Sequence, residues 1–306
     1  MLHQNHTTRV GTIRRRGLLL LATLGLGLAA CTSEATKTPA VLRFTAIPES
    51  NTTELAKKYA PLAAHLSKEL GAPVEYVPSS DYGASVNMFT NGDVHLAWFG
   101  GLTGVQARQR VEGARAIAQG KVDPAYKSYF VAHKDAGLER SENFPMGIAS
   151  MKFTFGSDSS TSGRLMPTWF ITQETGKSPE EFFGTPALSF SGSHDKTLEL
   201  VATRAFDVGA VDYKTYDRLV KEGKVDPDVV RIIWVTPPYA DYNWTAHPEL
   251  ETLFGAGTTE RLQKALVAIQ DPALLAAVNR PEGLIPASNA DFEGLAGLAR
   301  ELGLAR

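Results

Sequence analysis

The chain is short of most features that would announce a familiar class of protein. Its 306 residues include a single cysteine, Cys31, which rules out an intramolecular disulfide. There is no H-E-x-x-H or comparable ligand spacing for a metal, and no Walker A phosphate loop. A G-x-S-x-G nucleophile elbow is missing as well. Ser160, His194 and Asp212 can be drawn as a hydrolytic set, but nothing else supports catalysis, so neither an enzyme nor a cofactor is expected. Positive charge is also scarce. Of 31 Lys and Arg residues, four (Arg9, Arg14, Arg15 and Arg16) precede Cys31, where no acidic residue occurs, leaving 27 basic against 33 acidic residues beyond it. A nucleic-acid binder would show a basic excess, so no nucleic-acid partner is expected. Beyond residue 31 no apolar run approaches the ~20 residues that span a bilayer.

What is present at the N-terminus defines a compartment. The four arginines form a cationic region, and Gly17–Ala30 is apolar and small apart from Thr23. That stretch is too short to span a bilayer and has the form of a secretory signal. Leu28-Ala29-Ala30-Cys31 matches the bacterial lipobox, so residues 1–31 are expected to be a lipoprotein signal whose Cys31 is acylated. Residues 32–40 are then a polar tether. Arg15-Arg16 before Gly17 and leucines also has the outline of a twin-arginine export signal, and the export route stays open. The mature protein is expected to be soluble apart from its lipid, on the periplasmic or cell-surface side.

Past the tether, short apolar runs alternate with helical patterns, the mark of α/β architecture. Strands are predicted at 41–47, 74–77, 94–99, 114–118, 129–133, 152–156, 187–191, 208–211 and 231–235. A helix over 53–70 carries Leu55, Tyr59, Leu62, Leu66 and Leu70 at helical spacing and ends at Gly71. The last third, 249–304, reads as mostly helical. Asp93–Phe99 and Asp207–Tyr213 echo each other, each a strand opened by Asp and leading to a polar or aromatic tip. Two similar lobes would produce this, and so would chance. The pentapeptide GKVDP, at 120–124 and again at 223–227, reads as two similar loop turns.

The most informative segment is Gly156–Gly163 (GSDSSTSG), between a strand and a helix. Hydroxyls and unpaired amides at a helix N-terminus, with the helix dipole behind them, bind anions without any lysine. Capping alone would need one Ser or Thr, and the run holds four hydroxyl residues in succession, Ser159–Ser162. Phe190–Asp195 (FSGSHD) is built the same way and sets His194 where a ring N–H can donate to an oxyanion. A surface histidine at a cap is the alternative. Ser79–Gly83 and Phe99–Thr103 are further strand-to-helix loops that place aromatics beside polar or glycine backbone, either for a cleft or for the core.

Asn91–Arg108 (NGDVHLAWFGGLTGVQAR), Phe155–Pro167 (FGSDSSTSGRLMP), Phe190–Asp195 and Asp241–Leu250 (DYNWTAHPEL) together resemble the phosphate/phosphite/phosphonate group of ABC-importer substrate-binding proteins. The resemblance runs from about Leu42 to the C-terminus. It implies a type II periplasmic-binding fold of two α/β lobes hinged on two crossing strands, holding an oxyanion between helix N-termini. The expected division is residues 41–131 with 244–306 for lobe 1 and 132–243 for lobe 2, with crossings near His133 and Tyr239–Asn243. Carried over by motif, the ligand contacts are Tyr82, Ser160, Thr161, Ser162, His194, Asp212 and Asp241, with Tyr242 next to the last. Trp98 and Phe99 form the aromatic tip of the strand before Gly100-Gly101. The partners implied are a small oxyanion, the transporter permease and the membrane through the lipid, with the protein itself a monomer. The WFGG and DYNWT stretches are most similar to a branch described as selenate transporters. Asp212 and Asp241 instead suit a protonated phosphonate or phosphite, or a ligand bearing an amine, unless they cap helices or pair with Arg164 or Lys196. A sensor that presents the bound anion to a membrane receptor kinase is the alternative role.

Overall fold

The computed structural model describes residues 40–48 and 52–305. The signal, the lipobox at Cys31 and residues 32–39 of the tether lie outside the described residues. The chain opens with β1 (Leu42–Ala46), α1 (Thr52–Leu70), β2 (Val74–Tyr76), α2 (Tyr82–Thr90), β3 (Leu96–Phe99), α3 (Gly101–Arg110) and β4 (Arg115–Gly120). It continues through β5 (Ser128–His133), β6 (Phe153–Phe155), α4 (Met166–Thr175), α5 (Pro179–Phe183), β7 (Ser189–Phe190), α6 (His194–Ala202), β8 (Val208–Asp212), α7 (Tyr213–Lys221) and β9 (Val230–Val235). It closes with β10 (Asn243–Ala246), α8 (Glu249–Phe254), α9 (Thr258–Val267), α10 (Pro272–Ala277), β11 (Leu284–Pro286) and α11 (Glu293–Glu301).

These strands form two sheets, ordered β11-β4-β10-β3-β1-β2 and β7-β6-β8-β5-β9. Each sheet has a parallel core, β1 with β2 and β3 in one, β6 with β7 and β8 in the other. Strands buried on both faces need continuous apolar sequence, and β3 (LAWF) is buried at all four positions. The amphipathic α1 lays Leu55, Tyr59, Leu62 and Leu66 into the core and stops at Gly71, whose φ of 65° favours glycine.

The echo between Asp93–Phe99 and Asp207–Tyr213 has a structural basis. β3 and β8 hold the same place in their sheets, parallel to one neighbour and antiparallel to the next. The antiparallel neighbour is β10 in the first sheet and β5 in the second, the two strands that follow the crossings. Here the expected boundaries need correction. Residues 128–131, assigned to lobe 1, belong to β5 in the second sheet, and Asn243, assigned to lobe 2, opens β10 in the first. The crossing lies at Tyr126 and Tyr239, which exchange both backbone hydrogen bonds at 2.8 and 3.0 Å, with Asp241 N–H donating to Asp123 C=O at 3.0 Å. His133, expected near a crossing, is instead the last residue of β5. An apolar run announces a strand but not the sheet it joins. β10 (NWTA) and β11 (LIP) are strands that no apolar run in the sequence announces. No helix among the described residues is long and apolar enough to cross a membrane.

Candidate ligand-binding site

The hydroxyl loop of lobe 2 is shaped by two glycines. Gly156 N–H donates to Gly163 C=O at 2.8 Å. A Cβ on Gly163 would come within 3.0 Å of Gly156 Cα and of Ser160 Oγ, and 3.2 Å of the His194 ring. Backbones this close exclude any side chain. The next residues, Thr161–Leu165, form a π turn in which Leu165 N–H reaches back five residues to Ser160 C=O, a widened geometry found often at functional sites. Ser160 Oγ accepts from Gly163 N–H at 2.9 Å as the helix cap. The hydroxyls of Ser160, Thr161 and Ser162 are thus held at a helix N-terminus, each residue no more than 2 % exposed.

His194 packs beside this loop. Its Nδ1 accepts the Asp212 backbone N–H at 3.4 Å, so the ring's proton sits on Nε2 in the neutral form. Nε2 lies 3.4 Å from Ser162 Oγ and 3.4 Å from Asp212 Oδ2. The other oxygen of Asp212 caps α7 through Thr215 N–H at 2.8 Å and accepts from Tyr126 Oη–H at 2.6 Å. Burial pushes the Asp212 carboxyl up, but His194, Thr215 and Tyr126 together outweigh it and hold the group below its ordinary value. A hydrolytic triad would place serine and carboxylate on opposite ring nitrogens. Here both face Nε2, and Ser160 is a helix cap.

Lobe 1 brings the N-terminus of α3. Gly101 N–H donates to Asp241 Oδ1 at 2.8 Å, and Leu102 N–H donates to Thr161 Oγ1 at 2.9 Å. The second bond joins the lobes directly. Gly100 permits the approach, since a Cβ there would meet Thr161 Oγ1 at 3.2 Å and Asp241 Oδ1 at 3.4 Å. Asp241 is fully buried. Burial pushes its carboxyl up to about 8; Gly101 and Thr161 hydrogen bonds oppose this, and the charges of Asp123 and Asp212 add to it. Its Oδ2 makes no hydrogen bond. Nearby, Ser128 Oγ–H donates to Ser162 C=O at 2.7 Å, so Tyr239, at 2.5 Å, is the donor to Ser128.

Behind these groups stands an aromatic wall on a buried cation. Tyr242 stacks on Trp98 with centroids 5.6 Å apart, and Tyr126 tilts against Tyr242 at 5.2 Å. The Arg280 guanidinium lies 4.6, 5.1 and 5.4 Å from the rings of Tyr242, Tyr126 and Trp98. It pairs with Asp123, Nε donating at 2.8 Å and Nη2 at 2.7 Å from Oδ1, and burial still leaves the Asp123 carboxyl above its ordinary value.

A family model described as "ABC transporter, phosphonate, periplasmic substrate-binding protein" matches residues 44–292. The chain belongs to that family. The family is a periplasmic transport component rather than an enzyme family. A curated Prochlorococcus marinus protein named a probable ABC transporter phosphite-binding protein is 40 % identical over 231 residues, 75 % of this chain and 77 % of that one. A phosphate-import protein of Mycolicibacterium smegmatis is 30 % identical, with 84 % of each chain covered. Among solved structures, a Prochlorococcus marinus protein in complex with methylphosphonate superposes with a TM-score of 0.81 at 36 % identity, covering 87 % of this chain and all of that one.

All ten residues singled out as ligand contacts are 2 % exposed or less. The fold brings them into three groups: Thr161 with Asp241 at the start of α3, Ser162 with His194 and Asp212, and Trp98 with Tyr242. Ser160 serves the first two as their cap. Tyr82 begins α2, capped by Asp81 through Ala84 N–H at 2.7 Å. Phe99 packs edge-on to Phe89 at 5.6 Å, a contact of the lobe 1 core. Asp212 caps α7 and Asp241 accepts the first amide of α3 from outside that helix, and neither pairs with the two cations considered from sequence. Arg164 lies over the rings of Phe155 and Phe190, and Lys196 pairs with Glu199 at 2.7 Å. Asp123, Tyr126, Ser128, Tyr239 and Arg280 were not singled out. The first GKVDP copy was the one available signal, since its Asp123 is fully buried while Asp226 of the second is exposed.

Proposed function

We propose that this protein is the capture subunit of an ABC importer for a small phosphorus oxyanion of the phosphite or methylphosphonate type, held between the lobes as a monoanion. One observation carries the choice of ligand: among the described residues no lysine or arginine pairs with Asp212 or Asp241. Asp212 is held ionised by His194, Thr215 and Tyr126, and Arg280 is committed to Asp123. A dianion would face an uncompensated carboxylate in a low-dielectric site, where like charges repel strongly. Phosphite and methylphosphonate can keep one proton near neutral pH and lower their charge, whereas selenate and sulfate cannot. The Ser162 hydroxyl and the His194 Nε2–H are neutral donors for a single negative charge, and the two helix N-termini add their partial positive charge.

The test is calorimetry on the mature protein with phosphite, methylphosphonate, phosphate, selenite, selenate and sulfate, repeated in buffers of different ionisation enthalpy. Phosphite or methylphosphonate should bind with proton uptake above neutral pH. Selenate binding as tightly as phosphite, without proton exchange, would overturn the ligand choice. The same reading has the protein tethered by a lipid on Cys31 and working as a monomer. Cys31→Ser should release it from membranes or leave it unprocessed. Recovery of that variant in the detergent-requiring membrane fraction, cleaved before residue 31, would refute the anchor.

A further inference from the structure

We propose that Lys214 and Glu282, outside the ligand site, form a clasp between the lobes that sets how tightly the anion is retained. Lys214 lies in the first turn of α7 in lobe 2, and Glu282 in the loop before β11 in lobe 1. Their Nζ and Oε1 are 2.6 Å apart, with side chains 12 % and 37 % exposed. The surface pairs Arg115–Glu260, Arg204–Asp135 and Arg218–Glu222 each stay within one lobe, so breaking the lobes apart would leave them untouched. Lys214–Glu282 joins the lobes, so their separation would load it.

Both partners are placed in advance. Lys214 follows by two residues Asp212, which is tied to Tyr126 and Thr215. Glu282 follows by two residues Arg280, which is locked on Asp123. Exposed ion pairs contribute little chiefly because two long side chains must be ordered for one contact. Here the backbone on each side is already held by a buried network, and the lysine is largely shielded from water. The clasp touches none of the groups that face the anion. Its effect is therefore on the closed fraction, and apparent affinity scales with the fraction of molecules in the binding-competent state.

The inference rests on the reading that a small anion is held between two closing lobes, and the test separates the two. Phosphite and methylphosphonate are titrated against the parent protein, Lys214→Met, Glu282→Gln and the charge swap Lys214→Glu/Glu282→Lys, with dissociation rates measured by stopped flow. Each single variant should lose about two- to fivefold in affinity, mostly through faster dissociation. Its unfolding midpoint should be unchanged. The swap should recover most of the loss, and the parent should weaken more with added salt than either single variant. Fluorescence energy transfer between dyes on the two lobes, without anion, should show fewer closed molecules in Glu282→Gln. Equal dissociation rates and equal closed populations in parent and single variants would overturn the clasp while leaving the anion site standing. Failure of every anion in the panel to bind the parent would overturn the proposed function, and the dye measurement would still decide the clasp.

Discussion

Asp241→Asn isolates the most unusual charge in the molecule. The carboxyl is fully buried, accepts the Gly101 N–H on Oδ1 at 2.8 Å, and is pushed up from 3.8 to about 8. Its folded pKa lies above its unfolded one, which fixes the sign. Below about pH 4 both states hold the proton and the group makes no pH-dependent contribution. Between pH 4 and 8 the folded state keeps a proton that the unfolded chain has lost, so stability falls as pH rises. Each pH unit in that window removes about 1.4 kcal/mol, and the loss reaches several kcal/mol by pH 8, a large part of the ~5–15 kcal/mol of a typical fold. Asparagine keeps the acceptor for Gly101 and cannot ionise. Denaturant unfolding without anion at pH 5, 7 and 8.5 should show the parent losing stability across the series while Asp241→Asn stays level. Anion affinity should follow the same course, with the parent weakening through pH 8 relative to the variant as a carboxylate appears beside the ligand. Parallel stability profiles for the two proteins would refute the reasoning.

Thr161→Ala removes the hydroxyl that accepts the Leu102 amide across the lobes and bonds Asp241; it should weaken anion binding about ten- to a hundredfold, as expected for a hydrogen bond to a charged group worth ~1.5–3 kcal/mol. Thr161→Ser should restore most of this in calorimetry. His194→Ala should cost a comparable amount, since it removes the ring nitrogen that stands 3.4 Å from Ser162 Oγ. Arg280→Met leaves the buried Asp123 carboxylate without its partner and should destabilise the fold by about 3–5 kcal/mol in denaturant unfolding, with Asp123→Asn in the same chain recovering part of the loss.

Local pattern was enough for much of this. The parallel strands, α1 and its Gly71 stop, the hydroxyl loop at 157–162 and the SGSHD loop were all legible, because strand period, helix spacing and N-terminal hydroxyls are properties of neighbouring residues. So were the aspartates as site candidates, through motifs that stand close in the chain. Tertiary structure alone decided which sheet Ser128–His133 joins, since an apolar run is equally buried in either. It also decided that Asp241 meets Gly101, 140 residues away, and that Arg280 pairs with Asp123 across 157. An arginine in a helical tail and an aspartate in a turn look like surface residues in sequence. They become a buried pair under Trp98, Tyr126 and Tyr242 only when the crossing at Tyr126 and Tyr239 folds the two halves of lobe 1 together, and no local pattern encodes that closure.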